Sequence, residues 1–196
     1  MQNNHNEKKV EKLYVNIGYK EFYHHDFKSD TLFFQSGVME KPYYVYEQSP
    51  YFKWELLSEY KTINDYQCQK AKTHFRGRTY YVWFTSEIPT QAGPWKFNGL
   101  PGLILSLENN NATILVEASK ISRIPNSKII DYVEFLKPKG ERISLQDFIP
   151  LKDDEGIEII KKSRSMNDSR DNNIIISKPD ERQGFEKIYE WEEEND

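Results

Sequence analysis

The chain has a single cysteine, Cys68, in 196 residues. One thiol cannot close an intramolecular disulfide, and a zinc site built from cysteines is excluded with it. No run of about 18 apolar residues occurs, so no segment reads as a membrane-spanning helix. The opening residues, Met1-Gln-Asn-Asn-His-Asn-Glu-Lys-Lys9, lack the apolar stretch of a signal peptide. Taken alone, this fits either a cytoplasmic protein or a mature form whose leader has gone. Basic excess is missing too: the net charge is −4 and the pI is near 5.7. Lysines and arginines are scattered among acidic neighbours, which argues against a nucleic-acid binder and against a polybasic membrane patch. Neither Gly-x-x-x-x-Gly-Lys nor Gly-x-Gly-x-x-Gly is present, so no phosphate-cradling loop is expected.

What the chain has in excess is aromatic side chains, with 13 Tyr, 11 Phe and 4 Trp. Aromatic and β-branched residues suit a pleated, half-buried surface, so a strand-rich fold is expected. The same rings also supply contact area at binding surfaces. The length fits one domain with a core that needs no staples. We assign 1–12 as a flexible start, 13–191 as the single domain and 192–196 as an acidic tail.

Leu13, Val15 and Ile17 alternate and predict a first strand. Further strands are expected at Thr31–Phe34, ending before Gly37, and at Tyr43–Tyr46; Trp54–Leu57 is a short apolar burst before a polar break, Tyr66–Thr73 alternates between two faces, and Phe75-Arg-Gly-Arg78 reads as a turn around Gly77. Thr79-Tyr-Tyr-Val-Trp-Phe-Thr85 is the strongest strand: Tyr80, Val82 and Phe84 share one face, Tyr81 and Trp83 the other. Pro101-Gly102 fits the centre of a type II turn, with glycine at the positive-φ position. Leu103 to Leu107 then reads as a strand buried on both faces, paired across Asn109-Asn-Asn with Ala112–Ala118. Ile129–Leu136 is a further strand candidate. Ser144-Leu-Gln-Asp147 resembles a capping box, with Pro150 expected to shorten or interrupt the helix it starts. Glu158–Arg164 is helical in composition, Ser165–Asp171 reads as loop, and Glu186–Asp196 as a last strand, a docked segment or a tail.

The stretch from Trp54 to Val116 resembles the GLPGLI family, envelope proteins of Bacteroidota. Its hexapeptide stands unbroken as Gly99-Leu100-Pro101-Gly102-Leu103-Ile104. Asp65-Tyr-Gln-Cys68-Gln-Lys-Ala is similar to the family's aromatic-x-Cys-x-Lys-Ala pattern, and Trp83-Phe-Thr, Ile88-Pro89 and Gly93-Pro94 follow in the family's order. The acidic C-terminus departs from the family's short ending. The resemblance implies a mature periplasmic or outer-membrane-associated protein. The order of elements also looks like that of lipoprotein carriers, in which an open half-barrel of curved antiparallel sheet, covered by one or two helices, shelters an acyl chain. The fold class expected is therefore mainly β (α+β).

Candidate sites follow from residue type. Tyr81, Trp83, Trp95, Phe97, Leu100 and Leu103 are the residues expected to line a cavity for an apolar small molecule or lipid. The alternative for the hexapeptide is structural: its glycines permit tight backbone geometry and its leucines fill a core. His24-His25-Asp26 is the densest ligand-type cluster. Adjacent histidines in a strand face opposite ways, so a metal would need His74 or His5 as well, and the plain alternative is a solvated loop. Cys68 with His74 is the one thiolate–imidazole pairing available, against an inert buried thiol. The carboxylates Glu55, Glu59, Asp65, Glu87, Glu108 and Glu117 have no pairing that sequence can define. No catalytic residue, cofactor or metal is assigned. The expected function is non-catalytic binding in the envelope. The alternatives are an interaction module for an outer-membrane partner such as a TonB-dependent transporter, and a hydrolase or thiol enzyme.

Overall fold

A computed structural model describes residues 12–16, 22–26, 28–122, 140–167, 182 and 184–193. Ten strands lie among the described residues. β1 (Lys12–Asn16), β2 (Phe22–Asp26), β3 (Thr31–Val38), β4 (Lys41–Gln48) and β10 (Glu141–Ser144) form one five-stranded sheet in that order. β5 (Glu55–Ile63), β6 (Tyr66–Phe75), β7 (Arg78–Thr85), β8 (Leu103–Asn109) and β9 (Leu115–Glu117) form a second, ordered as in the sequence. Every pairing is antiparallel except that of β10 with β4. Helix α1 spans Leu145–Asn167 and helix α2 spans Glu190–Glu193. The expected mainly β class is what the chain adopts, in two sheets, neither of them closed.

Three hairpins turn on two residues that both have positive φ: Met39-Glu40, Asn64-Asp65 and Arg76-Gly77. This mirror-image turn matches the right-handed twist of the flanking strands. The first carries none of the usual Asn-Gly chemistry. β3 therefore runs through Gly37 to Val38 instead of stopping before it.

In the first sheet Tyr23, His25, Leu32, Phe34, Tyr43 and Val45 are buried on one face. In the second, Ala71, Phe75, Tyr80, Val82, Phe84, Ile104 and Leu107 are buried on one face, and the apolar members of both sets belong to a single core. Between them sits a wedge of rings from the loop before β8. Trp95 meets Tyr23 edge-on at 6.5 Å and donates its indole N–H to the Tyr23 hydroxyl at 3.1 Å. Phe97, only 1 % exposed, packs on Tyr80 at 4.9 Å and Phe52 at 4.9 Å. The loop thus fills the space between the sheets, and the hexapeptide that follows it closes the core with Leu100 and Ile104.

Two glycine expectations change. Gly102 does not occupy a positive-φ position; Gly99 does, at 89°. A Cβ on Gly102 would lie 2.0 Å from the Thr85 carbonyl oxygen, so glycine is required there by close backbone approach. In β8 the register slips by one residue opposite Trp83 and Phe84. Such a bulge sets two residues against one. It lets Leu105 join an apolar cluster on the far side of the sheet while Ile104 and Leu107 stay in the main core. The run is buried on both faces, as its composition predicts.

Ser144 caps α1: its hydroxyl accepts from the Asp147 N–H at 3.1 Å and donates to the Asp147 carboxylate at 2.6 Å. The helix passes through Pro150 without a break. Phe148, flanked by buried Leu145 and Ile149, packs on Phe34 and Tyr43, and this contact holds the first turns in place where proline removes a backbone hydrogen bond. Ser165 to Asn167 are helical as well, not loop. The strand candidate Ile129–Leu136 lies outside the described residues, as do residues 1–11.

Candidate functional site

The six residues expected to line one apolar cavity fall on two sides of the second sheet. Trp95, Phe97 and Leu100 are buried in the main core. Trp83 and Leu103 pack on the opposite face over Ile63, Cys68 and Leu105. Tyr81 is on that face too, beneath the Lys70 ammonium at 5.3 Å.

That opposite face is curled. In a flat five-stranded sheet the edge strands lie about 19 Å apart, at ~4.8 Å per strand. Here Lys61 of edge strand β5 reaches Glu117 of edge strand β9 at 3.8 Å. Just beyond both strands, the Asn64 side-chain amide donates to the Ala118 carbonyl. The two edges therefore meet at one end and form a trough floored by Ile63, Cys68 and Leu105. Trp83 stands in it with the ammonium groups of Lys61 and Lys70 over its ring at 4.7 and 5.5 Å. Lys70 pairs with Glu59 at 2.8 Å and Lys72 with Glu55 at 3.1 Å along the same face. A recess of about 520 Å³, lined by Asn64, Asp65, Tyr66, Ser119, Lys120 and Ile121, opens where the edges meet. Rings flanked by alternating cations and carboxylates can stack on a flat apolar face and hydrogen-bond its polar rim.

A second constellation lies beside the wedge of rings. The side chain of Glu47 on β4 is 7 % exposed, that of Arg76 in the β6–β7 turn 6 %, and that of Lys96 in the ring loop 1 %. Glu186, from the segment after residue 184, completes the group with a side chain 11 % exposed. Arg76 holds Glu47 at 2.8 Å, contacts Glu186 closely and reaches Glu190 at 3.0 Å. Lys96 bridges Glu47 and Glu186. Burial by itself would raise the Glu186 carboxyl, but Lys96 and Arg76 outweigh it and hold it below its ordinary value. Burial would lower the Arg76 guanidinium, and Glu47 and Glu186 raise it instead. Burial pushes up the hydroxyls of Tyr80 and Tyr189 next to this group. Nothing in the spacing of the sequence singles out these four charges. The available signal was Lys96 itself, a cation placed between two tryptophan-loop rings.

The remaining candidates separate. Cys68 and His74 lie on one strand, ~20 Å apart at about 3.3 Å per residue, and cannot form a thiolate–imidazole pair. Burial raises the Cys68 thiol, which is fully enclosed and contacts the Tyr66 carbonyl at 3.4 Å. His24-His25-Asp26 is strand, not solvated loop. His24 stacks on Phe33 at 5.7 Å, and His25 is buried with Asp30 3.5 Å away. Burial lowers the His25 imidazole, with Asp30 opposing the shift. Glu87 accepts from the Gln67 N–H at 2.8 Å. Among the described residues no group of three or more His, Cys, Asp or Glu is placed to hold a metal ion, and no helix is long and apolar enough to cross a membrane.

A domain of two facing sheets with a ring wedge between them is the setting for both constellations. The chain belongs to the family described as N-glycanase peptide, N-terminal domain, whose pattern matches residues 38–146, more than half of the chain. That match runs from the end of β3 through the trough and the hexapeptide to the start of α1. Solved structures of PNGF-II in space groups C2 and P21 are similar, each at 15% sequence identity, a TM-score of 0.46 and 70% of this chain covered. The match covers 25% of the length of those chains. No curated protein matches the chain.

Proposed function

We propose that this chain is a non-catalytic recognition domain whose ligand-contacting surface is the curled face around Trp83, and that its ligand is part of an N-glycosylated peptide or protein. One observation carries the reading: Tyr81 and Trp83 stand on a concave face beside Lys61, Lys70 and the carboxylates Glu59 and Glu117. A sugar ring presents C–H groups that stack on an indole and hydroxyls that bond to carboxylates and ammoniums. The family description, which names an N-glycanase and an N-terminal domain, favours a glycan-bearing ligand over other ligands with the same pattern of apolar and polar groups. The envelope setting implied by the hexapeptide belongs to the same proposal.

The test is titration of the chain with an N-glycopeptide and with the same peptide after removal of its glycan. The glycopeptide is expected to bind at least about tenfold more tightly, ~1.4 kcal/mol, and Trp83→Ala to abolish the difference. Equal affinity for the two peptides, or binding untouched by the Trp83 substitution, overturns the proposal. The apolar floor of Ile63, Cys68 and Leu105 favours a second reading, an acyl chain or other apolar molecule in the trough. Native mass spectrometry that retains a lipid mass on the chain, and loses it in Trp83→Ala, selects that reading instead.

A further inference from the structure

We infer that the groove beside the ring wedge is a peptide-binding site specific for an aromatic residue followed by glutamate, and that Phe185-Glu186 of this chain is its internal occupant. This site is separate from the trough and does not depend on the reading given to it. The groove is assembled from residues that precede position 100, while its occupant comes from the segment that begins at Gly184. The contacts are of the kind by which proteins hold extended peptides, with main-chain groups caught by fixed donors and acceptors and side chains read by pockets. Arg78 Nε donates to the Gly184 carbonyl at 3.0 Å, and the Tyr80 hydroxyl donates to the Phe185 carbonyl. The Lys187 N–H donates back to the Arg76 carbonyl at 3.0 Å. The Phe185 ring lies on Trp95 at 4.6 Å and 21°, filling an aromatic pocket. The Glu186 carboxylate enters a pocket walled by Lys96, at 2.9 and 3.1 Å, and by Arg76. Gly77 is part of the fit, since a Cβ there would press on the Lys187 Cβ at 3.1 Å.

Charge explains why the pocket wants an acid. Within the groove, Arg76 and Lys96 share one carboxylate of their own, Glu47. Two buried cations against one buried anion are uncompensated until Glu186 arrives. The neighbouring ring pocket is flat and stacks its occupant, which favours an aromatic side chain before the glutamate. An internal occupant competes at a high effective concentration, so a partner's aromatic–glutamate segment gains the groove only when it binds more tightly or when the chain's own segment is weakened.

The test uses a fluorescent peptide of residues 184–193 with two full-length chains, wild type and Phe185→Ala/Glu186→Gln. The double variant is expected to bind the peptide at least about tenfold more tightly than wild type, because its own segment no longer competes. A peptide with glutamine in place of its first glutamate is expected to lose that gain. Three results overturn the inference: equal binding by both chains, binding indifferent to the peptide's glutamate, or loss of the cooperative thermal transition in the double variant, which makes the segment core and not ligand.

Discussion

The Lys96 ammonium holds both carboxylate oxygens of Glu186, at 2.9 and 3.1 Å, across 90 positions of sequence. Lys96 is nearly inaccessible and Glu186 almost as enclosed, so the pair is desolvated on both sides. Such a pair contributes through its completeness: removing one member strands the other in a low-dielectric interior.

Replacing Glu186 with Gln is therefore expected to cost about 3–5 kcal/mol, read as a lower urea midpoint. Replacing Lys96 and Glu186 together by Met and Leu is expected to recover much of that loss, because two apolar side chains leave no stranded charge. A double variant as unstable as the sum of the singles would show that the pair is not coupled.

Acid should loosen the C-terminal segment first. The folded-state value of Glu186 is depressed, so its contribution is fully present above its ordinary value of 4.5 and disappears as pH falls through the lower folded value. Glu192, held down by its hydrogen bonds from Arg182, shifts the same way. Fluorescence of Trp191, stacked on Tyr189 at 4.8 Å, is expected to change below about pH 4.5 before the sheets unfold. A single transition with all probes coincident would contradict the ordering.

Gly102→Ala is expected to destabilise by more than about 2 kcal/mol, since the new methyl would meet the Thr85 backbone at 2.0 Å and cannot push it aside cheaply. Gly156→Ala in α1 makes the contrast: nothing lies within 4 Å of its Cβ position, and the change is expected to stabilise by about 0.5–1 kcal/mol. Thermal melts of the two variants check both signs.

Cys68 should be silent in the native chain. Its thiol is enclosed, raised by burial and lined by Ile63 and Leu105. Reaction with a thiol reagent is expected to be negligible without denaturant and to appear with the urea transition. Rapid labelling under native conditions would show that the trough floor opens.

Ser144→Ala removes the cap of α1 and is expected to cost about 1 kcal/mol. Ser144→Asp keeps an acceptor at the cap and is expected to restore most of it, as read from the thermal midpoint.

Much of the second sheet was legible in its residues. Alternation in Thr79–Thr85 placed Tyr80, Val82 and Phe84 on one face and Tyr81 and Trp83 on the other, and that is how β7 lies. The run Leu103–Leu107 declared a strand covered on both sides, and the capping serine declared the start of α1. Other features were hidden by local chemistry. Met39-Glu40 is not a turn sequence, yet strand twist and pairing force it to positive φ. Pro150 reads as a break, yet the buried contacts of Phe148 carry the helix through. Trp95 and Phe97 looked like ligand contacts because rings serve both roles, and exposure alone distinguishes a wedge in a core from a lining.

Periodicity belongs to the chain itself, so alternation and capping determined the strands, the faces they present and the beginning of the long helix. Only folding in three dimensions decided which charges met. Glu47, Arg76, Lys96 and Glu186 come from four separate segments, and their pairing depends on how the sheets, the ring loop and the C-terminal segment pack. The curl that brings Lys61 to Glu117 is of the same kind, a sum of small twists over five strands that no single stretch of residues encodes.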